Sequence, residues 1–470
     1  MRALVWFRED LRMLDNPALF YATEEATEGV AAVFCVTPSF WQKHHMAPIR
    51  QSFLLNGVFE LSNELAKKNI LLKVIHVENE DHLSEMIHQY AESIGANALY
   101  FNHQYEVNEQ SRDKKITRYF QDREYLVKSF DDQIIFKANE IRTQEGNPFK
   151  VFTPFKTAWI KHARIRLPRI LPVPDKQSEP VGERTLNLTL ESSDLRLSFW
   201  PAGEKAAQHR LKDFLKHKIS EYHIARDFPF MDGTSKLSPY LNAGMISTRQ
   251  CFHAALQTNQ GEWDSGNLGV KTWISELIWR EFYKHILINF PYVSKHKPFK
   301  PETSSIEWHH DEDLLLAWQT GKTGFPFVDA GMRQLNATGW MHNRLRMVVS
   351  MFLTKTLFID WRLGEKYFIE NLIDGDLAAN NGGWQWCAST GADAAPYFRI
   401  FNPIRQSERF DPDGQFIRQY CQELSELDNK SIHEPSDSLF KGNYPAPIVD
   451  HDIAKNQVLR AFKRLKTEKL

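Results

Sequence analysis

Residues 373–406, IDGDLAANNGGWQWCASTGADAAPYFRIFNPIRQ, hold the side chains best suited to chemistry. Between Asp374 and Trp386 stand two acids (Asp374, Asp376), two asparagines (Asn380, Asn381), three glycines (Gly375, Gly382, Gly383) and two tryptophans (Trp384, Trp386). That mixture makes a poor bulk core. Carboxylates and amides supply hydrogen bonds to a polar ring edge, tryptophans supply flat faces, and glycines let a backbone come close to a ligand. The composition points to a site for a flat, polar-edged ligand. The bland alternative, a polar loop with incidental aromatics, leaves the tryptophans unexplained. Nine of the thirteen tryptophans lie at or after Trp263. Core packing accounts for any one of them, but the clustering points to binding or relaying by rings.

The elements that position this segment are helical. From Glu204 onward apolar residues recur at helical spacing, most clearly in Val270–Phe290 (VKTWISELIWREFYKHILINF) and again in Asn343–Phe358. Residues 1–130 differ. Short apolar runs at Ala3–Phe7, Val30–Val36, Leu71–Val77, Ala98–Phe101 and Tyr125–Lys128 alternate with helix-like stretches such as Arg50–Lys67 and His82–Ser93. This alternation predicts an α/β domain, a doubly wound, Rossmann-like parallel sheet. No GxGxxG follows the first run, which disfavours a dinucleotide bound in the usual Rossmann manner. Residues 131–203 read as an interdomain linker, with three prolines in Leu167–Pro174 marking an extended surface crossing. The expected organisation is therefore 1–130 α/β, 131–203 linker and 204–470 all-α, ending in a basic helix.

Composition sets further bounds. A chain of 470 residues exceeds one compact core, so two domains are expected. No apolar run reaches the ~20 residues of a membrane helix, and MRALVWFREDLR meets charge too early for a secretory signal. The four cysteines show no CxxC spacing, which predicts neither a disulfide framework nor a metal site and makes a cytoplasmic setting the default. With a net charge of −1, any phosphate-binding surface must be a local patch. Lys156–Arg169 carries five Lys or Arg and no acid; a phosphate track and a solvated linker face fit it equally.

The 373–406 segment closely resembles the flavin-binding core of the photolyase and cryptochrome family. The resemblance continues in WISELIWREF at 273–282, KTGFPFVDAGMRQLNATGWMHNRLRM at 322–347, TSKLSP at 234–239, VWFREDLRMLDNPAL at 5–19 and YEVNE at 105–109, covering essentially the whole chain. It is strongest to bacterial class I cyclobutane-dimer photolyases with a folate antenna. The family's fold implies an α/β domain linked to an all-helical domain that holds FAD. Tyr222, Thr234, Ser235, Lys236, Leu237 and Ser238 match its contacts to the FAD phosphates and ribose; TSKLSP alone would equally be an ordinary N-cap with a proline turn. Asp374, Gly375 and Asp376 match the loop on the flavin ring, Arg346 is expected to pair with Asp374, and Trp279 lines the DNA-facing cavity. Asn380 matches the residue facing the reactive ring nitrogen. An amide cannot release a proton at neutral pH, which suits a fully reduced, anionic working flavin. Trp384, Trp361 and Trp308 match an electron relay to the surface.

The resemblance also implies a flipped lesion in a pocket beside the cofactor, since a fused pyrimidine pair is out of reach inside a duplex. Trp279 and Trp386 would pack on its faces, and Glu276 would bond its base edges. Asn343 and Met347, four residues apart on one helix face, would line the pocket. Arg226, Arg280, Arg344 and Gln406 match DNA-contacting positions. Enzymes that repair (6-4) photoproducts carry histidines where Asn343 and Met347 stand, so the implied lesion is the cyclobutane dimer. In the first domain His44, Asn108 and Glu109, with Lys295 from the helical domain, match contacts to a 5,10-methenyltetrahydrofolate antenna, although Ser294 stands where the family often has cysteine. The implied partner is dimer-containing DNA, with no membrane, no obligate protein partner and a monomeric chain. A blue-light photoreceptor on the same scaffold is the alternative, set apart by signalling without repair.

Overall fold

The computed structural model describes residues 1–188, 194–435 and 442–467; residues 189–193 of the expected linker and the last three of the basic tail lie outside them. Strands β1 (Ala3–Phe7), β2 (Val30–Val36), β3 (Leu72–His76), β4 (Ala98–Asn102) and β5 (Leu126–Phe130) form one parallel sheet in the order β3-β2-β1-β4-β5. Central β1 pairs Ala3 with Val30 on one side and Ala98 on the other. Every residue of β1, β2 and β4 is buried, because both faces are covered, and up to Asn102 at the end of β4 their sequences are accordingly apolar rather than alternating. Ala3, Val5 and Phe7 pack with Leu19 and Phe53 from the Pro17–Glu25 and Pro48–Ala66 helices. Leu4 and Trp6 face the opposite way, toward Ile87 and Ile116 from Leu83–Ser93 and Val107–Gln121. The sheet is thus doubly wound, as expected.

The segment expected to be a linker is more structured than its prolines and charges suggest. Phe152–Ile165 is a helix, and Phe152, Phe155, Trp159, Ile160 and Ala163 recur along its buried face. The basic residues of 156–169 drew attention to the solvated side; the apolar stripe at helical spacing decides the structure. This helix lies against Leu268–Asn289, where the Trp159 indole donates to Glu281 (2.9 Å) and the Lys156 ammonium to Ser275 (3.1 Å). Leu167–Pro174 stays outside helix and strand, with Leu171 bonded to Asp15 of the α/β half.

The long 268–289 helix starts where the Asn267 side chain accepts from the Val270 N–H (3.0 Å) and stops before Pro291. Trp273, Ile274, Leu277, Ile278 and Phe282 bury one side of it. The helix expected over Asn343–Phe358 is shorter. It runs as α-helix over Asn343–Met351, widens into a π-turn at Phe352–Thr356, and ends before Phe358, whose φ is 56°. A π-turn inserts a residue into the ladder, and apolar spacing alone does not reveal it. Among the described residues no helix is long and apolar enough to cross a membrane.

Candidate functional site

A cavity of about 480 Å³ opens in the helical half between the 268–289, 343–351 and Leu377–Ala388 helices. The NNGG run lies inside the last of these, where two glycines cost helix stability and therefore need a reason. The structure gives each a separate one. A Cβ on Gly382 would sit 2.2 Å from the Tyr283 ring, so this glycine lets two helices approach. A Cβ on Gly383 would meet nothing within 4 Å, because that position faces the cavity. Gly375, matched to the same ligand by sequence, instead lines a second cavity, and its carbonyl accepts from Arg50 (2.7 Å).

Two carboxylates fix the cavity floor. Asp376 caps the 377–388 helix through the Ala379 N–H (2.9 Å) and pairs with the buried Lys284 ammonium (2.8 Å). Burial opposes its ionisation, but Lys284, Arg280 and the cap bond together hold it well below the usual carboxylate range. Arg346 forks onto both oxygens of Asp374 (2.8 and 3.0 Å), the pairing the sequence suggested. Asn380 lines the cavity and donates its Nδ2 to the Glu365 carbonyl (2.9 Å), which leaves its amide oxygen available. Arg280 also lines it, tied to the Gln133 carbonyl (2.8 Å) and Thr248 (3.1 Å).

At one side stand Tyr222, Ser235, Leu237 and Ser238; Thr234 and Lys236 belong to the same loop without lining the cavity, and Lys236 pairs with Asp232 (2.9 Å). Glu276, Trp279, Asn343, Met347 and Trp386 line the same cavity. Arg226 holds the Glu276 carboxylate at 2.7 Å. Trp279 stacks on Phe152, with ring centres 3.6 Å apart and planes 9° apart, so the 152–165 helix braces this wall. Arg344 and Gln406 lie outside the lining: Arg344 pairs with Asp227 (2.5 Å), and Gln406 sits in the Pro403–Phe410 helix.

Of the three tryptophans matched by resemblance to a relay, Trp384 lines the cavity, is 2% exposed, and has a buried indole N–H without a partner. Trp361 is buried in the same apolar cluster, and half-buried Trp308 packs on its edge, 5.1 Å from Phe358. Sequence reasoning missed Gly364 and Phe368. A Cβ on Gly364 would sit 2.1 Å from the Trp384 ring, and Phe368 meets that ring edge-on at 5.0 Å. The signal was the isolated glycine in an otherwise helical stretch.

The second cavity, about 720 Å³, opens at the carboxyl ends of β1 and β4, where the strand order reverses. That crevice is where open α/β sheets hold ligands. Arg8 and Glu9 follow β1, while Gln104 and Glu106 follow β4. The structure brings His44, Asn108, Glu109 and Lys295 together here, with Asn108 and His44 in hydrogen-bond contact (3.3 Å). Burial and the neighbouring Glu106 carboxylate push Glu109 up to about 8. Asn242 lines both cavities, and Lys284 spans from Asp376 to Glu106 (3.5 Å), so one thin wall separates them.

A wound parallel sheet with a cavity at its carboxyl edge, joined to a helical half with a tryptophan-lined cavity, defines a photolyase-type architecture. The chain belongs to the DNA photolyase family: residues 3–175 match the model described as DNA photolyase, and residues 273–464 the FAD binding domain of DNA photolyase. It is 45% identical to the deoxyribodipyrimidine photo-lyase of Escherichia coli over 98% of both chains. Among solved structures it is similar to a class III photolyase from Agrobacterium tumefaciens (TM-score 0.88, 34% identity, covering 99% of this chain and 98% of that one). It is also similar to an archaeal photolyase from Sulfolobus tokodaii with two FAD molecules (TM-score 0.84, 30% identity, covering 99% and 100%). The helical cavity fits FAD on its own evidence: open space at Gly383, an unpartnered buried indole N–H on Trp384, and hydroxyls at Tyr222, Ser235 and Ser238.

Proposed function

We propose that this protein is a light-driven enzyme that splits cyclobutane pyrimidine dimers in DNA. The observation that carries this reading is one cavity lined both by Asn380, Gly383 and Trp384 and by Glu276, Trp279, Asn343, Met347 and Trp386. FAD, when bound there, supplies light absorption and one electron for the lesion, and recovers that electron after the ring opens.

The chain's own residues do the rest. A dimer weakens its own stacking, which lowers the cost of turning it out of the helix. Trp279, braced by Phe152, and Trp386 offer flat apolar walls to it. The Glu276 carboxylate accepts from base N–H groups, while the adjoining Arg226 guanidinium favours the negative charge that develops on the lesion. Asn380 presents an amide that cannot protonate its neighbour, which suits a reduced, anionic flavin. Neither Asn343 nor Met347 can release a proton at neutral pH, whereas cyclobutane splitting needs only an electron out and back. Trp384, Trp361 and Trp308 serve as the route by which an oxidised cofactor is re-reduced in light.

The second cavity is assigned to a 5,10-methenyltetrahydrofolate antenna. Glu109 suits a ring's amino edge and exposed Lys295 an acidic tail. The thin wall between the cavities supports energy transfer from one to the other. Residues 1–130, 131–203 and 204–470 are proposed as antenna domain, linker and catalytic domain of a monomeric protein. Its four buried, unbridged cysteines suit the cytoplasm.

The test is reduced protein mixed with oligonucleotides bearing a single cyclobutane dimer or a single (6-4) photoproduct, under blue light and in darkness. Restoration of the cyclobutane substrate alone, and only in light, is expected. Failure to restore it, or restoration of the (6-4) substrate, overturns the assignment.

A further inference from the structure

Two arginine–carboxylate pairs built on consecutive residues stand at this cavity, one in its lining and one outside it. Arg226 pairs with Glu276 (2.7 Å), and its neighbour in sequence, Asp227, pairs with Arg344 (2.5 Å). The second pair has no place in the chemistry described above. Arg344 lies over the Phe410 ring at 4.2 Å and is otherwise well packed, with a side chain 15% exposed against 34% for Asp227. Its Nε has no partner, and one Nη approaches the Met347 sulfur (3.9 Å). Arg344 also follows Asn343 directly, so it touches or adjoins two residues that line the lesion cavity.

From this arrangement, which rests on the repair reading above, we infer that Asp227 is a specificity-determining residue: its carboxylate holds Arg344 away from DNA phosphates until a lesion is seated against Asn343 and Met347. A carboxylate and a phosphate oxygen are alternative partners for one guanidinium, both bound by charge-assisted hydrogen bonds. Undamaged duplex brings phosphates to the mouth but no bases into the cavity, so it must displace Asp227 without compensation. A flipped dimer presses on Met347 and Asn343, at the base of the same helix turn, and shifts the balance toward exchange. The need for such a device follows from the biology of any repair protein. Undamaged backbone outnumbers lesions enormously, and its binding is electrostatic and independent of sequence. A net charge of −1 limits that background globally, and Asp227 limits it at the mouth. Asp227 acts through Arg344 and is a positioning residue, not a catalytic one.

The experiment measures dark binding of dimer-containing and undamaged duplexes of one sequence across a salt series. The proteins are wild type, Asp227→Asn, Asp227→Glu and Arg344→Met, each purified with its cofactor. Asp227→Asn should bind undamaged DNA about tenfold more tightly and steepen its salt slope by about 0.9, the value for one added phosphate contact. Its affinity for the lesion should rise less, so the specificity ratio falls, and Asp227→Glu should restore both slope and ratio. Arg344→Met should weaken lesion binding while leaving undamaged DNA near wild type, because that arginine is masked there. If Asp227→Asn leaves slope and ratio as in wild type, or Arg344→Met weakens both DNAs equally, the inference is overturned. The Arg344 arm decides the matter even if the Asp227 variants fold poorly. A wild-type protein with no preference for the lesion would instead count against the repair reading itself.

Discussion

The neighbouring glycines in the NNGG run should respond oppositely to the same methyl group. Alanine in a helix interior is better than glycine by about 1 kcal/mol. At Gly383 the added Cβ meets nothing within 4 Å. The Gly383→Ala protein, stripped of flavin, should therefore be more stable than wild type by about 1 kcal/mol. At Gly382 the Cβ would lie 2.2 Å from the Tyr283 ring, which is wedged between Trp279 and Phe282 and has little room to yield. Overpacking of that kind costs ~1–3 kcal/mol, which cancels or outweighs the helix gain. Flavin binding should rank them differently. In Gly383→Ala the methyl occupies cavity space, so cofactor affinity should fall by at least ~tenfold, the equivalent of ~1.4 kcal/mol. Urea midpoints of the flavin-free proteins and flavin-to-protein ratios after gel filtration separate the two effects. A Gly383→Ala protein that keeps flavin at wild-type affinity would refute the placement of the ring against this helix.

Other outcomes follow from single side chains. Trp308→Phe should block light-driven reduction of oxidised flavin while chemically reduced protein still repairs; unchanged photoreduction in that variant would place the relay elsewhere. Glu109, pushed up to about 8 by burial and Glu106, must ionise to accept from a donor-bearing ligand with both oxygens and a full charge. Antenna affinity should therefore climb about tenfold per pH unit below that value and level off above it. Glu109→Gln should flatten the profile, and a flat wild-type titration would contradict the assigned contact. Lys355 is fully buried beside the Ser389 hydroxyl (2.8 Å), and burial pulls its ammonium from 10.5 down to about 7. Between those values the unfolded lysine is charged and the native one is not, so unfolding takes up a proton and stability rises with pH. The slope approaches about 1.4 kcal/mol per pH unit. Urea unfolding of Lys355→Met across that window should lack this rise, and identical profiles for the two proteins would argue against a neutral Lys355.

The strands were legible because both faces of the sheet are buried, so Val30–Val36 and Ala98–Phe101 are apolar without interruption. The 268–289 helix was legible from spacing and from Pro291 at its end. Features that depend on contact across the chain were not. Phe152 gave no hint that it would stack on Trp279, since periodicity describes one helix and not its neighbour. Gly382 and Gly383 look alike in sequence, yet one faces a tyrosine and the other a cavity. Gly375 resembled a third of the same kind and faces the other cavity. The π-turn at Phe352–Thr356 arises from the local ladder and leaves no apolar signature. Asp227 was invisible for a simpler reason: an isolated surface acid is ordinary until its partner is known.

The most direct measurement follows one blue flash given to reduced protein saturated with a cyclobutane-dimer oligonucleotide. The readouts are the ultraviolet absorbance of the restored pyrimidine double bonds and the flavin spectrum before and after. The expected result is recovery of that absorbance, with the flavin spectrum returned to its starting form and no recovery in darkness. Absorbance that fails to recover, or a flavin left permanently oxidised after each repair event, would contradict an electron that goes out to the lesion and comes back.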